Sequence, residues 1–239
     1  MIAVLLLTYN RLDYARRTLQ AAAENLRASE LLRVHIADDG SSQEYRDTLF
    51  AEAQALFGAD VVTITNSERR GYGGSYNAAS QVVHSLMADD GLAPLILPLE
   101  DDWVLTRPLD LDPLAAVLRD GTFGCIRLGY LGWTQALRGE FVWARDQAFL
   151  RLDPESPERH VCAGHPRLET VEWERAVGPW DEGLAAGATE FEWCGRRAAR
   201  EGVAWPVELL SVRGDLFAHV GTIGMGELVP GAKAEGVTA

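Results

Sequence analysis

Three consecutive carboxylates, Glu100, Asp101 and Asp102, follow directly on the apolar run of residues 95–99. Neighbouring anions repel one another unless they share a cation. Carboxylate oxygens are the ligands that Mg²⁺ and Mn²⁺ prefer, and in open α/β sheets ligands collect at the carboxyl ends of the strands. The triplet therefore predicts a divalent-metal site at the end of a buried strand, with a solvated acidic turn as the purely structural alternative.

Two further polar segments follow predicted strands. Asp38 and Asp39 come directly after the apolar residues 33–37, where an aspartate accepts hydrogen bonds from a ribose hydroxyl or a base N–H, or simply caps the next helix. The glycine-rich residues 69–77 open a helix, so a ligand can approach the backbone, and Arg70 adds a charge suited to a diphosphate. The segment matches neither the phosphate-loop nor the dinucleotide fingerprint. Together with the acidic triplet, these segments indicate a nucleotide site.

Alternating apolar strands and amphipathic helices must position these residues. Strands are predicted near residues 2–7, 33–37, 61–65, 95–99 and 123–128, with a hairpin at 141–152 and extended chain at 203–212. Helices are predicted near residues 12–26, 41–57, 75–87 and 189–200. Continuous apolar strands between helices predict an α/β fold with a mostly parallel central sheet and helices on both faces.

Length, composition and charge restrict the number of domains and the class of protein further. A length of 239 residues with 47% hydrophobic content suits one domain, which we expect at residues 1–220 with a loose tail at 221–239. The net charge of −13 argues against a positively charged surface that would attract nucleic acid over the whole protein. Three cysteines give no disulfide framework, and no segment resembles a signal peptide or a membrane span, so we expect a cytoplasmic protein.

The polar segments occur in a fixed order along the chain: residues 8–11 (Thr-Tyr-Asn-Arg), 38–41, 71–77 and 100–102. This order resembles the family-2 glycosyltransferases of the GT-A fold, in which the second strand ends in DDGS and the fourth in a metal-binding D-x-D. Residues 178–183 and 189–194 resemble the G-x-F-D-E and E-D-x-D-x-C segments of that family. The resemblance covers roughly residues 2–220, and it implies a nucleotide-sugar-binding half at 1–105 and an acceptor-binding half at 106–220.

The resemblance implies a role for each matching position. Glu190 corresponds to the catalytic base, and Asp102, Glu100 and His219 correspond to ligands of Mn²⁺ or Mg²⁺, with a hydrogen-bonded core histidine as the alternative for His219. The donor is a nucleoside-diphosphate sugar, with a UDP-sugar favoured. The residues expected to bind it are Thr8, Tyr9, Asn10, Arg11, Asp38, Asp39, Arg70, Gly71, Gly73, Asn77 and Asp101. Those expected on the acceptor side are Trp133, Arg138, Trp143, Trp180, Asp181 and Glu182.

The sequence departs from the family pattern in three respects. Glu100 stands where the metal motif has its first aspartate, and Glu190 is a glutamate where the family has an aspartate base. The Q/R-x-x-R-W segment of processive synthases is absent, which indicates non-processive transfer. On an extended chain Glu100 and Asp102 point to one side and Asp101 to the other. Asp102 is therefore favoured for direct contact with the metal, and Asp101 for contact with the ribose or with a ligand of the metal.

The activity implied is a metal-dependent, inverting transfer of a hexose to an acceptor hydroxyl. A nucleotidyltransferase, or a non-catalytic nucleotide-sugar binding module, is the alternative. Residues 127–151 hold four arginines interleaved with aromatic residues, a composition that suits both nucleic-acid bases and sugar rings. The acceptor is therefore expected to be a glycan, a small molecule, or the hydroxyl of a hydroxymethylated DNA base, as in phage DNA glucosylation. An aromatic core beneath a hairpin with solvated arginines is the structural alternative.

Overall fold

The structure is a computed structural model that describes residues 1–87, 93–129, 136–162, 164–210 and 216–221. The strands are β1 (Ile2–Thr8), β2 (Leu26–Arg27), β3 (Leu32–Asp38), β4 (Val62–Asn66), β5 (Leu95–Glu100), β6 (Trp103–Leu105), β7 (Leu109–Asp110), β8 (Cys125–Arg127), β9 (Gly139–Ala144), β10 (Gln147–Leu152), β11 (Arg167–Thr170), β12 (Val203–Pro206) and β13 (Phe217–His219). The helices are α1 (Leu12–Asn25), α2 (Gln43–Phe57), α3 (Gly71–Leu86), α4 (Asp112–Arg119), α5 (Val171–Val177), α6 (Ala186–Gly195), α7 (Arg197–Arg200) and α8 (Val207–Leu210). Within these ranges, no helix is both long and apolar enough to cross a membrane.

Nine strands form one central sheet in the order β4-β3-β1-β5-β11-β8-β12-β10-β9. The first four of these strands are parallel, as are β8 and β12. Strand β11 runs antiparallel to both β5 and β8, and β10 runs antiparallel to both β12 and β9. The predicted α/β fold is confirmed, and both halves of the chain contribute strands to the same sheet.

Helices cover both faces of the sheet. Along β1, Ile2, Val4 and Leu6 pack into a core with buried residues of α1, α2 and α4, whereas the intervening Leu5 and Leu7 pack with buried residues of α3, α5, α6 and α7. This alternation is the period-2 pattern of a strand. Because both faces of the strand are buried in apolar cores, its sequence is a continuous run of hydrophobic residues. The edge at which the parallel strands end is therefore the part of the sheet left open for a ligand.

Helix α3 begins earlier than the sequence suggests. The glycine-rich segment was expected to form a turn before a helix at residue 75, but it forms the first turn of the helix, starting at Gly71. A methyl group at Gly73 would lie 2.4 Å from the backbone oxygen of Asp181, so this position has no room for a side chain. The glycine is thus required by the close approach of two backbones, which a propensity argument does not detect.

Two predictions in the second half are wrong in part. The chain from residue 203, expected to be extended to residue 212, is a strand only to Pro206 and is helical over Val207–Leu210. The single helix expected at 189–200 is two helices, because Arg196 adopts an extended conformation between α6 and α7. The hairpin is confirmed as β9 and β10. The predicted tail lies outside the described residues apart from Gly221, as does Trp133.

A buried histidine makes the stability of the sheet depend on pH. His35 lies on β3 between Thr63 and Thr65 of β4, and burial lowers its pKa from 6.5 to about 4. Between these values the unfolded chain binds a proton that the native chain does not, so stability is lost as the pH falls from about 6.5 to about 4. We expect His35→Gln to reduce the loss of unfolding free energy between pH 7 and pH 5 by about 2 kcal/mol in urea titrations. Parallel pH dependences of the two proteins would contradict this.

Candidate active site at the carboxyl edge of the sheet

The carboxyl ends of three neighbouring parallel strands bring the sequence motifs together. Thr8 at the end of β1 lies opposite Asp38 of β3, and Leu7 lies opposite Glu100 of β5. A cavity of about 590 Å³ opens at this edge. Its lining includes Thr8, Arg11, Tyr72, Ser75, Glu100 and Glu190. The motifs that the sequence places after separate strands therefore share one cavity.

A cluster of possible metal ligands lies beside this cavity. Glu100, Asp102 and His219 each offer a ligand atom, and these atoms all lie within 4.8 Å of one another. His219 reaches the cluster because β13 pairs antiparallel with β6, which places it opposite Trp103. The ring centres of Trp103 and His219 are 4.7 Å apart. The structure thus unites three residues that the sequence resemblance selected, one of them more than a hundred positions further along the chain.

The donor atoms of this cluster fit a divalent cation. Oδ1 of Asp102 is buried and makes no hydrogen bond within the described part of the chain, and Nε2 of His219 lies 3.4 Å from it. Burial opposes ionisation of Asp102, but His219 and Arg11 outweigh it and lower the pKa. Burial, with Glu190 and Asp102 nearby, raises the pKa of Glu100 well above its usual range. Two carboxylates and an imidazole suit Mn²⁺ or Mg²⁺, whose charge would relieve the repulsion.

Asp101 is not part of the metal cluster, and with Asp102 it forms a turn after β5 in place of the extended chain expected from the sequence. Its carboxylate accepts hydrogen bonds from Thr8 Oγ1 over 2.8 Å and from the guanidinium of Arg11. Burial raises its pKa to about 6, although Arg11 opposes this shift. Arg11 also donates from Nη1 to Oδ2 of Asp102 over 2.7 Å. Asp101 therefore holds Arg11 and Thr8 in place at the cavity wall.

The two aspartates after β3 organise the loops around the cavity. Asp38 accepts hydrogen bonds from the backbone N–H groups of Gly40 and Ser41 through Oδ2, whereas its buried Oδ1 has no hydrogen-bond partner among the described residues. Asp39 accepts from Ser67 Oγ over 2.6 Å and from the N–H of Gly71 over 3.1 Å. It thereby joins the loop after β3 to the start of α3. Asp39 lines the cavity, whereas Asp38 is fully buried and is not among the described residues that line it, so a contact of Asp38 with a base or ribose stays a prediction.

Several residues expected to bind the donor are already engaged within the protein. Arg70 forms a two-point ion pair with Glu182, its shortest contact being 2.6 Å. Asn77 exchanges two hydrogen bonds of 2.9 Å with the backbone of Trp180. The guanidinium of Arg69 lies 3.7 Å from the ring centre of Tyr9. Arg70 and Asn77 therefore join α3 to the segment after α5 in this structure, and their role toward a diphosphate stays a prediction.

The proposed base is held in the cavity lining close to Glu100. Glu190 lies on α6, and its Oε1 accepts a hydrogen bond of 2.8 Å from the backbone N–H of Gly164. A methyl group at Gly164 would lie 1.7 Å from Oε1 of Glu100 and 2.7 Å from Oε1 of Glu190. Both carboxylates therefore face the same stretch of backbone, and only glycine leaves room for them.

The residues expected on the acceptor side are dispersed. Trp180 is only 2% exposed, and its ring is stacked on Trp193 at 4.3 Å, which places it in the core. Trp143, by contrast, is 75% exposed on the edge strand β9. Asp181 accepts from Arg196 over 2.8 Å and Arg138 donates to Asp153 over 2.7 Å. A contact of any of these residues with an acceptor stays a prediction.

Three cavity residues were missed by the sequence reasoning. Tyr72 and Ser75 line the cavity from α3, and Gly164 holds Glu190. The sequence did contain a signal for the first two, because they alternate with the glycines of the segment already singled out. It contained none for Gly164, whose role depends on an approach of residues 100, 164 and 190 that only the folded chain shows.

A sheet edge that joins a metal cluster, an aspartate pair and an opposing glutamate is the arrangement expected of a GT-A glycosyltransferase. Residues 3–177 match the sequence family described as Glycosyl transferase family 2, and the chain belongs to that family. The match includes β1, β3, β5 and the acidic triplet, and it ends before Glu190 and His219. The family and class of enzyme predicted from the motifs are confirmed.

Solved structures show the same fold. The structure of S. aureus TarS 1–349 is 13% identical, with a TM-score of 0.61 over 85% of this chain and 57% of that chain. GalNAc-T7 with UDP, GalNAc and Mn²⁺ is 17% identical, with a TM-score of 0.57 over 86% of this chain and 42% of that one. The chain therefore spans less than two thirds of the length of either protein. No curated protein matches the sequence.

Proposed function

We propose that this chain is a metal-dependent, inverting and non-processive glycosyltransferase that moves a sugar from a nucleoside-diphosphate sugar to an acceptor hydroxyl. One observation carries the proposal: Glu190 and Glu100 line the same cavity, and Glu100 belongs to the only cluster of possible metal ligands found among the described residues. A base on one side of a sugar and a charged leaving group on the other are what displacement at the sugar carbon requires.

The donor end of the cavity is built by the first three motifs. Asp39, which lines the cavity, is proposed to accept a hydrogen bond from the base or ribose, and Arg11 supplies positive charge next to the metal cluster. Asp102, Glu100 and His219 would hold the cation, which when bound offsets the charge that develops on the departing diphosphate. UDP is the nucleotide we favour, because TarS 1–349 was solved with UDP and UDP-GlcNAc, and GalNAc-T7 with UDP and Mn²⁺.

Glu190 is proposed to take the proton from the acceptor hydroxyl as that oxygen attacks. Its Oε1 accepts a hydrogen bond from the N–H of Gly164, which holds the carboxylate in the cavity lining. Attack from the side opposite the leaving diphosphate gives a product of inverted configuration.

The acceptor is proposed to be a glycan or a small molecule. Of the arginines that suggested a nucleic-acid acceptor, Arg127 is buried, and Arg138, Arg145 and Arg151 form ion pairs with Asp153, Asp120 and Glu140. Their charge is thus balanced within the hairpin and its neighbours rather than offered to a phosphate backbone. This favours a neutral acceptor over a modified DNA base.

A binding and product assay tests the proposal. The protein is mixed with UDP-sugars and GDP-mannose, with and without Mn²⁺, and its melting temperature is recorded. A ligand at 100 times its Kd stabilises the native state by about 2.7 kcal/mol, so we expect the bound donor to raise Tm by about 5 to 10 °C only when Mn²⁺ is present. Release of the nucleoside diphosphate on adding acceptor supports transfer. Release of pyrophosphate from a nucleoside triphosphate would indicate a nucleotidyltransferase instead.

A further inference from the structure

Two hydroxyl groups of α3 face the cavity without a hydrogen-bond partner. Ser75 is 3% exposed, and both its Oγ and the Oη of Tyr72 are buried and unpaired within the described ranges of the chain. Both residues line the 590 Å³ cavity together with Glu100 and Glu190. A buried hydroxyl that makes no hydrogen bond is unfavourable in a native protein, so two of them in one cavity indicate polar groups of a ligand.

The charges around these hydroxyls restrict that ligand. Glu100 and Glu190 line the same part of the cavity, and burial together with Glu100 raises the pKa of Tyr72 well above its usual range, although Arg167 opposes this. Arg11, the cation of the cavity lining, is bound to Asp101 and Asp102. A carboxylate of the ligand would be repelled by Glu190 in the ionised form that a base requires. A neutral group rich in hydroxyls suits the site, because a hydroxyl both donates and accepts.

The two side chains are held firmly where they are. The ring of Tyr72 meets the ring of Trp180 edge-on at 5.0 Å, and Trp180 is itself stacked on Trp193. The other polar residues of the same segment, Arg70 and Asn77, are bonded to Glu182 and Trp180. Tyr72 and Ser75 are thus the polar side chains at the start of α3 that remain available to a ligand in the cavity, and they are pre-positioned for it.

We propose that Tyr72 and Ser75 bind hydroxyl groups of a neutral donor sugar and so make the site select against sugars that carry a carboxylate. The inference rests on the proposed function, because it places the donor sugar in the cavity that Glu100 and Glu190 line. Hydroxyls of the sugar would satisfy Oη and Oγ, whereas the carboxylate of a uronic acid would share the cavity with the proposed base, Glu190.

Calorimetric titration of the full chain in Mn²⁺ tests the inference. The ligands are UDP, UDP-glucose, UDP-galactose, UDP-N-acetylglucosamine and UDP-glucuronate, and the variants are Tyr72→Phe, Ser75→Ala and their double. We expect the wild type to bind its best neutral sugar nucleotide at least tenfold more tightly than UDP-glucuronate. The double variant should lose about tenfold in affinity for that neutral ligand, with unchanged affinity for UDP. Ser85→Ala, on the same helix with its hydroxyl bonded to the oxygen of Gln81, is the matched control and should behave as the wild type.

The possible failures are separable. Equal losses for UDP and for the sugar nucleotide would overturn the inference, since the hydroxyls would then act on the nucleotide or on folding. Unchanged donor affinity combined with a raised acceptor KM would overturn it in favour of an acceptor role. A wild-type protein that binds none of these nucleotides would instead overturn the proposed function. The single variants, which each remove one oxygen, replace the double variant in the comparison if the double variant does not fold.

Discussion

Replacement of Glu190 by glutamine is expected to lower kcat by about 10²- to 10⁴-fold, the usual contribution of a general base. Glutamine keeps the size of the side chain and an oxygen that can accept the hydrogen bond from the N–H of Gly164, so the local structure should be retained. It removes the proton acceptor and the negative charge. Donor affinity in Mn²⁺, measured by calorimetry, should fall by much less than kcat.

Glu192→Gln is the matched control for this experiment. Glu192 lies on the same helix, two residues further on, and its side chain is exposed. It should retain wild-type kcat and wild-type donor affinity. A Glu190→Gln enzyme with near-normal turnover would show that Glu190 is not the base, and the sequence resemblance would then have failed at its most important position.

Asp102→Asn is expected to lower activity by about 10²- to 10³-fold, equivalent to about 3 to 4 kcal/mol, and to abolish the dependence on added Mn²⁺. Asp102 offers to the metal cluster a buried Oδ1 that makes no hydrogen bond within the described ranges, and its other oxygen accepts from Arg11. An amide is a weaker ligand for a hard cation and no longer balances Arg11. Activity is measured across a Mn²⁺ titration, with folding checked by the melting temperature.

Asp13→Asn serves as the control, because the side chain of Asp13 is 93% exposed on α1 and faces no cavity residue that the described contacts reveal. It should show the Mn²⁺ response of the wild type. The assignment of the cluster would be wrong if Asp102→Asn responded to Mn²⁺ with the same midpoint and maximum as the wild type. Chelation of the wild-type enzyme should reproduce the loss seen in the variant.

The sequence predicts the donor half of the molecule well for a physical reason. Strands such as β1 and β5 are short apolar runs that end in polar residues, and in a parallel sheet those ends must lie along one edge. The position of the Asp38 and Glu100 motifs therefore follows from local pattern alone. Glu100 and Asp102 do share the metal cluster, but Asp101 and Asp102 form a turn after β5, so the extended chain assumed from the sequence is not the reason.

The remaining features depend on contacts between distant residues. The pairing of Arg70 with Glu182 and of Asn77 with Trp180 spans more than a hundred positions, so no local pattern separates these residues from diphosphate ligands. Trp180 fills a core beside Trp193, and a lone tryptophan after a proline gives no indication of this. The break at Arg196 likewise reflects its bonds to Pro179 and Asp181.

The position of β11 has a consequence for how the enzyme can be divided. A chain that ended at residue 105 would keep all four parallel strands and the acidic triplet, but it would bare the edge of β5 that β11 covers at Leu95 and Ile96. Bare strand edges pair readily with other chains. We therefore expect the first 105 residues alone to self-associate rather than to bind a nucleotide as a separate domain. The two halves should accordingly be expressed and engineered as one chain.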